Sequence, residues 1–66
     1  MIIKLNGQDR ELQAGTTVSD LLSELQIRPE RVAVELNLNI LERGEYSKAC
    51  LKDGDLVEII GFVGGG

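Results

Sequence analysis

The sequence is poor in the side chains that usually carry catalysis: it has no histidine and a single cysteine, Cys50. Neither a zinc constellation nor a histidine-assisted nucleophile can be assembled from it, and one cysteine excludes an internal disulfide. The candidate for chemistry is instead a main-chain group. The chain closes on Gly64, Gly65 and Gly66 behind the apolar run Leu56, Val57, Ile59, Ile60, Phe62 and Val63, so a glycine carboxylate is expected to hang from the end of a strand. With glycine at about 7% of average usage, three in a row at a chosen position arise by chance about three times in ten thousand, and the ending asks for a physical reason. Glycine has no Cβ and accepts φ of either sign, so it lies flat in a channel too narrow for any side chain. Gly64 and Gly65 give the tail that narrow profile. Extended at about 3.3–3.6 Å per residue, residues 61–66 carry the carboxylate on the order of 20 Å beyond the folded body, within reach of another protein's active site. The competing reading is a frayed, inert terminus or an expression scar.

The other reactive side chains carry little. Cys50 lies between Ala49 and Leu51 and reads as a small buried hydrophobe rather than a sulfur-transfer group. Asp53, Asp55 and Glu58 read as a solvated face that helps attract a basic partner; carboxylates alone, without a rigid loop, do not make a metal site. The net charge of −4, with one Tyr, one Phe and no Trp, lacks the basic face and stacking aromatics of a nucleic-acid binder. At 42% hydrophobic residues, the chain has no apolar stretch near the roughly 20 residues of a membrane span. The opening Met1-Ile2-Ile3-Lys4-Leu5 lacks the pattern of a signal peptide, and a cytoplasmic location is expected. A chain of 66 residues forms one domain that buries only about 60% of its unfolded surface. That leaves no room for an enclosed active site, so independent catalysis is not expected.

The elements that must position the tail follow from periodicity. Met1, Ile3 and Leu5 alternate with Ile2 and Lys4, and Asn6-Gly7 is a two-residue hairpin signal. Counting out from that turn pairs Leu5 with Gln8, Ile3 with Arg10 and Met1 with Leu12. Arg10 then falls on the apolar face, where its stem can cover the core edge while the guanidinium reaches water. Thr17 with Asp20 forms a near capping box, and Val18, Leu21, Leu22 and Leu25 make a helical stripe. Pro29 is expected to end that helix through Ile27 and Arg28. Val32, Val34 and Leu36 alternate, and Asn37-Leu38-Asn39 turns the chain into a short Ile40-Leu41 strand. One irregular helical turn is expected to carry Tyr46 and Cys50 inward. Lys52-Asp53-Gly54-Asp55 is a turn, and Leu56 to Ile60 is the last strand. Val57 and Ile59 are assigned to its core side and Glu58, Ile60 and Phe62 to the other. Ile60 and Phe62 are then a candidate docking surface near the tail, or else complete a core short of aromatics. The order predicts an α+β, β-grasp (ubiquitin-like) roll: a mixed sheet of four to five strands, one main helix across one face, and the last strand central beside the first. The expected division is a globule over residues 1–61 and a flexible glycine-rich tail over 62–66.

The Asn6-Gly7 hairpin, Ala14-Gly15-Thr16-Thr17-Val18 opening the helix, Lys52-Asp53-Gly54-Asp55 before the last strand and the diglycine end together resemble the ThiS family, the sulfur carriers of thiamin biosynthesis. The resemblance covers nearly the whole chain, and the Asp-Gly-Asp turn and the glycine end are its sharp parts. It implies that a ThiF-like partner enzyme uses ATP to adenylate the Gly66 carboxylate. Sulfur from a cysteine desulfurase-derived donor then replaces the adenylate, and the thiazole synthase ThiG uses the resulting thiocarboxylate. The chain would bind no cofactor itself, act as a carried substrate and be a monomer when free. The chemistry is coherent, because a carboxylate ionised at neutral pH is a poor electrophile until converted into an acyl phosphate-type anhydride. Readings that share the fold and tail are the small subunit of molybdopterin synthase and a ubiquitin-like modifier; a binding module with an inert tail is the fourth.

Overall fold

The hairpin around Asn6-Gly7 folds as its spacing requires. In a computed structural model that describes residues 1–61, β1 (Ile2–Leu5) and β2 (Gln8–Glu11) pair antiparallel. Leu5 lies opposite Gln8 and Ile3 opposite Arg10, and Met1 and Leu12 exchange main-chain hydrogen bonds just beyond. Asn6 and Gly7 both have positive φ (49° and 83°), the backbone of a type I′ turn, whose twist matches that of the strands it joins. Arg10 lies along the core edge with one terminal nitrogen 3.8 Å from Glu24 of the helix. Its Nε is shielded from solvent and has no hydrogen-bond partner among the described residues.

The helix α1 (Val18–Glu24) begins at the expected capping box: the Thr17 hydroxyl accepts from the Asp20 N–H at 3.1 Å and the Asp20 carboxylate from the Thr17 N–H at 3.0 Å. The N–H groups of Val18 and Ser19 donate to the carbonyls of Ala49 and Tyr46. All four donors that a helix start leaves without an intrahelical partner are therefore taken, which closes this end to an anionic ligand. The helix stops before Pro29 can act. Gln26 adopts φ 60°, its N–H reaches the Ser23 carbonyl and that of Ile27 reaches Leu22, the two bonds of a Schellman cap. Pro29 instead opens a 3-10 turn at Pro29–Arg31.

Strands β3 (Val32–Leu36), β4 (Asn39–Ile40) and β5 (Leu56–Gly61) complete a five-stranded mixed sheet of order β2-β1-β5-β3-β4. β5 is central, parallel to β1 and antiparallel to β3. This is the β-grasp roll expected from the order of elements. β4 begins one residue earlier than the spacing suggests, because the β3–β4 turn takes only Asn37 and Leu38, both at positive φ. Val18, Leu21 and Leu22 of α1 pack on Ile3, Val34 and Val57 of the sheet, all six below 2% exposed. Burying each contributes roughly 1.5–3 kcal/mol.

The irregular crossover departs from expectation at one residue. Tyr46 is buried behind a 3-10 turn at Arg43–Glu45, but Cys50 is exposed. Thr17 and Cys50 form an isolated antiparallel bridge, and the extended backbone there alternates sides. Leu51 is turned into the core, Ala49 packs against it, and the thiol is left in water.

Candidate functional site

The strand that leads to the glycine tail is fixed at both ends by asparagines of the two type I′ turns. At its start, Asn37 accepts from the Leu56 N–H through Oδ1 (2.9 Å), donates its own N–H to the Leu56 carbonyl (2.8 Å) and donates Nδ2 to Asp55 (3.1 Å). Further along, Asn6 Oδ1 accepts the Ile59 N–H at 2.7 Å and Asn6 Nδ2 donates to the Ile59 carbonyl at 3.2 Å. Asparagine suits both positions because its short polar side chain tolerates positive φ. Sequence reasoning took these residues as turn formers only. The signal that points further is that an asparagine opens each hairpin turn beside the last strand.

The turn before β5 is likewise built from side chains. Asp53 accepts the Ile2 N–H at 2.7 Å, Gly54 (φ 87°) donates to the Ile2 carbonyl at 2.8 Å, and Asp55 accepts the Lys52 N–H at 2.8 Å. Asp53, exposed, and Asp55, half-buried, therefore also hold main-chain groups, a role that their reading as a solvated face did not assign. Glu58 is exposed, as expected.

Val57 and Ile59 face the helix and Ile60 the opposite side, as the parity requires. Ile60 is 49% exposed and does not complete the core. The helix-free face of the sheet also presents Ile2, Leu56 and, at its β4 edge, the exposed Leu38 and Ile40. A hollow of about 400 Å³ on this face is lined by Lys4, Gly7, Glu35, Leu38, Leu56 and Glu58. Glu35 lies directly opposite Glu58 in the β3–β5 register, an unfavourable like-charge pair, while the nearby Lys4 is engaged by Asp9 at 2.9 Å. Apolar groups around uncompensated carboxylates suit a protein partner that is apolar and basic. Phe62, Gly64, Gly65 and Gly66, the remaining residues assigned to docking, threading and modification, lie outside the described residues.

Among the described residues one other hollow stands out. A hollow of about 480 Å³ between β2 and α1 is lined by Glu11, Leu12, Gln13, Thr16 and Glu24, and its one hydroxyl, that of Thr16, is tied to the Gln13 carbonyl at 2.7 Å. Among the described residues no group of three or more His, Cys, Asp or Glu side chains could hold a metal ion, and no helix is long and apolar enough to cross a membrane.

Comparison with known proteins agrees with this geometry. The model of the ThiS family matches residues 3–66. The chain is similar to a thiazole synthase of Magnetococcus marinus, with 44% identity over all of this chain, which spans only 20% of that protein's length. It is 39% identical to the sulfur carrier protein ThiS of Bacillus subtilis, over 98% of this chain and 100% of the relative. The crystal structure of a thiamine biosynthesis protein (ThiS) from Geobacter metallireducens superposes with a TM-score of 0.85 at 39% identity, with both chains fully covered. A family match across nearly the whole sequence, with relatives of the same length and the same fold, decides the assignment: the chain belongs to the ThiS family.

Proposed function

We propose that this protein is a sulfur carrier for the thiazole ring of thiamin, with Gly66 as the residue that carries the sulfur. The observation that supports the reading most is the pairing of a triglycine end with a central, doubly clamped β5 that points toward it. A Gly66 carboxylate oxygen attacks the α-phosphorus of ATP in a ThiF-like partner, and pyrophosphate leaves. The terminal sulfur of a persulfide, supplied through a cysteine desulfurase, then adds to the acyl carbon and AMP leaves; a thiol cleaves the S–S bond of the resulting acyl disulfide, is itself oxidised to a disulfide, and so frees the sulfur on Gly66. The product is a thiocarboxylate, a good nucleophile at neutral pH, which thiazole synthase ThiG consumes. ATP belongs to the partner's site, and the chain is a carried substrate rather than an enzyme.

Residues 62–66 would be the segment that enters the partner's site, where Gly64 and Gly65 bring no side chains to obstruct a narrow channel. Ile60, exposed on the helix-free face, would start the docking surface, with Phe62 as a further candidate contact. The resemblance to a thiazole synthase five times the chain's length supports that enzyme as a partner, since its sequence contains a region like this whole domain. A cytoplasmic setting suits the ATP and reduced sulfur that the cycle consumes.

The pathway is tested by deleting the gene in its host. A requirement for thiamin is expected, relieved by the full chain and not by a chain lacking Gly66. Growth that needs no thiamin, or loss of molybdenum-cofactor enzymes instead, contradicts the proposal.

A further inference from the structure

The parallel ladder between β1 and β5 runs out before β5 does. Lys4 and Leu5 lie beside Leu56 and Val57, the Asn6 N–H reaches the Val57 carbonyl at 2.9 Å, and the main chain then turns away at Asn6 and Gly7. From Ile59 onward the β1 main chain offers nothing, and only β3 continues, with Val34, Ala33 and Val32 opposite Ile59, Ile60 and Gly61. The Asn6 carboxamide fills that gap. It presents an acceptor to the Ile59 N–H and a donor to the Ile59 carbonyl, the two groups that a continued strand would have supplied.

We propose that Asn6 is a positioning residue for the reaction at the chain's end: its carboxamide fixes Ile59 from the side β3 does not cover and so sets the point from which the tail is launched. The proposal rests on the sulfur-carrier reading above. With Ile59 fixed, Gly61, the last described residue, has a defined place relative to the helix-free face. When the clasp opens, the distal half of β5 is held by β3 alone and frays as a sheet edge. Two residues are then added to the segment a partner must immobilise, about 7 Å at 3.3–3.6 Å per residue. Because Ile60 and Gly61 stay paired with β3, they regain only part of their backbone freedom, and the fraction of docked molecules with the carboxylate in place falls roughly tenfold. Docking through Leu38, Leu56 and Glu58, which the clasp does not hold, is kept, so the loss falls mainly on kcat rather than on KM.

The test uses full-length chains carrying Asn6→Gly or Asn6→Asp. Glycine is at ease at φ 49° and keeps the turn, whereas aspartate keeps the acceptor for the Ile59 N–H and loses the donor. Pyrophosphate release by the cognate adenylating enzyme is followed against carrier concentration, at a temperature where melting curves show every variant folded. Amide exchange of Ile59 is compared with that of Leu25, whose N–H is bound within α1 at the Leu21 carbonyl. The expected result is about a tenfold lower kcat for Asn6→Gly with KM nearly unchanged, an intermediate kcat for Asn6→Asp, and faster exchange at Ile59 but not at Leu25. Unchanged Ile59 exchange, or wild-type kcat in the glycine variant, overturns the clasp while leaving the carrier reading intact. A wild-type chain that releases no pyrophosphate overturns the carrier reading and takes the clasp's role with it.

Discussion

Leu38 stands where a type I′ turn favours glycine. The two hairpins of this fold make the comparison internally: Asn6-Gly7 has φ of 49° and 83°, and Asn37-Leu38 has 52° and 72°. A non-glycine residue in the left-handed region costs about 1–2 kcal/mol. Burial does not offset this, because Leu38 is 80% exposed. Leu38→Gly removes the strain but adds backbone freedom to the unfolded chain, a loss of about 0.4–1 kcal/mol. The balance is a gain of about 0.5–1 kcal/mol, which in a domain of this size raises Tm by about 2–8 °C. Thermal melts of the two proteins in the same buffer measure it directly. An unchanged or lower Tm would refute the argument that the turn is strained. Leu38 also walls the hollow on the helix-free face together with Leu56 and Glu58. If that face docks the adenylating enzyme, the stabilised variant should show a severalfold higher KM in pyrophosphate release, and an unchanged KM would remove Leu38 from the docking surface.

Gly65→Val should abolish adenylation while leaving Tm within about a degree of wild type, since the substitution obstructs threading without touching the core; normal adenylation by the partner would remove the threading role. Glu58→Gln relieves the like-charge pair with Glu35 and should stabilise the free domain by about 0.2–1 kcal/mol in urea titrations, whereas a loss of stability would mean that Glu58 has a favourable partner.

Most of the fold was legible because the local signals agree with one another. The Asn6-Gly7 turn fixed the register of β1 and β2, and the Thr17/Asp20 box fixed the helix start. Parity along β5 placed Val57 and Ile59 inward and Ile60 outward. The failures occur where a main-chain geometry overrides a residue's usual preference. Gln26 ended the helix by adopting a conformation that glycine usually takes, so Pro29 never had to. Cys50 was turned outward by an extended bridge to Thr17 that no periodicity in residues 43–50 announces. The side-chain work of Asn6, Asn37 and Asp53 was hidden for a different reason: all three are ordinary turn residues, and their second role depends on a strand far away in sequence. The proposed reactive end needs no side-chain pattern to be read from sequence, but it lies outside the described residues, and of the site calls the structure places only Ile60, on the exposed helix-free face.

In the proposed cycle the reactive group is the terminal glycine carboxylate, and the described residues of the domain only present it. Intact-mass measurement, after incubation with the cognate adenylating enzyme, ATP and a sulfide source, tests this most directly when followed by fragmentation of the C-terminal peptide. The account requires a mass gain equal to one oxygen replaced by one sulfur, located on Gly66. An unchanged mass, sulfur located on Cys50, or adducts larger by a whole protein would contradict it.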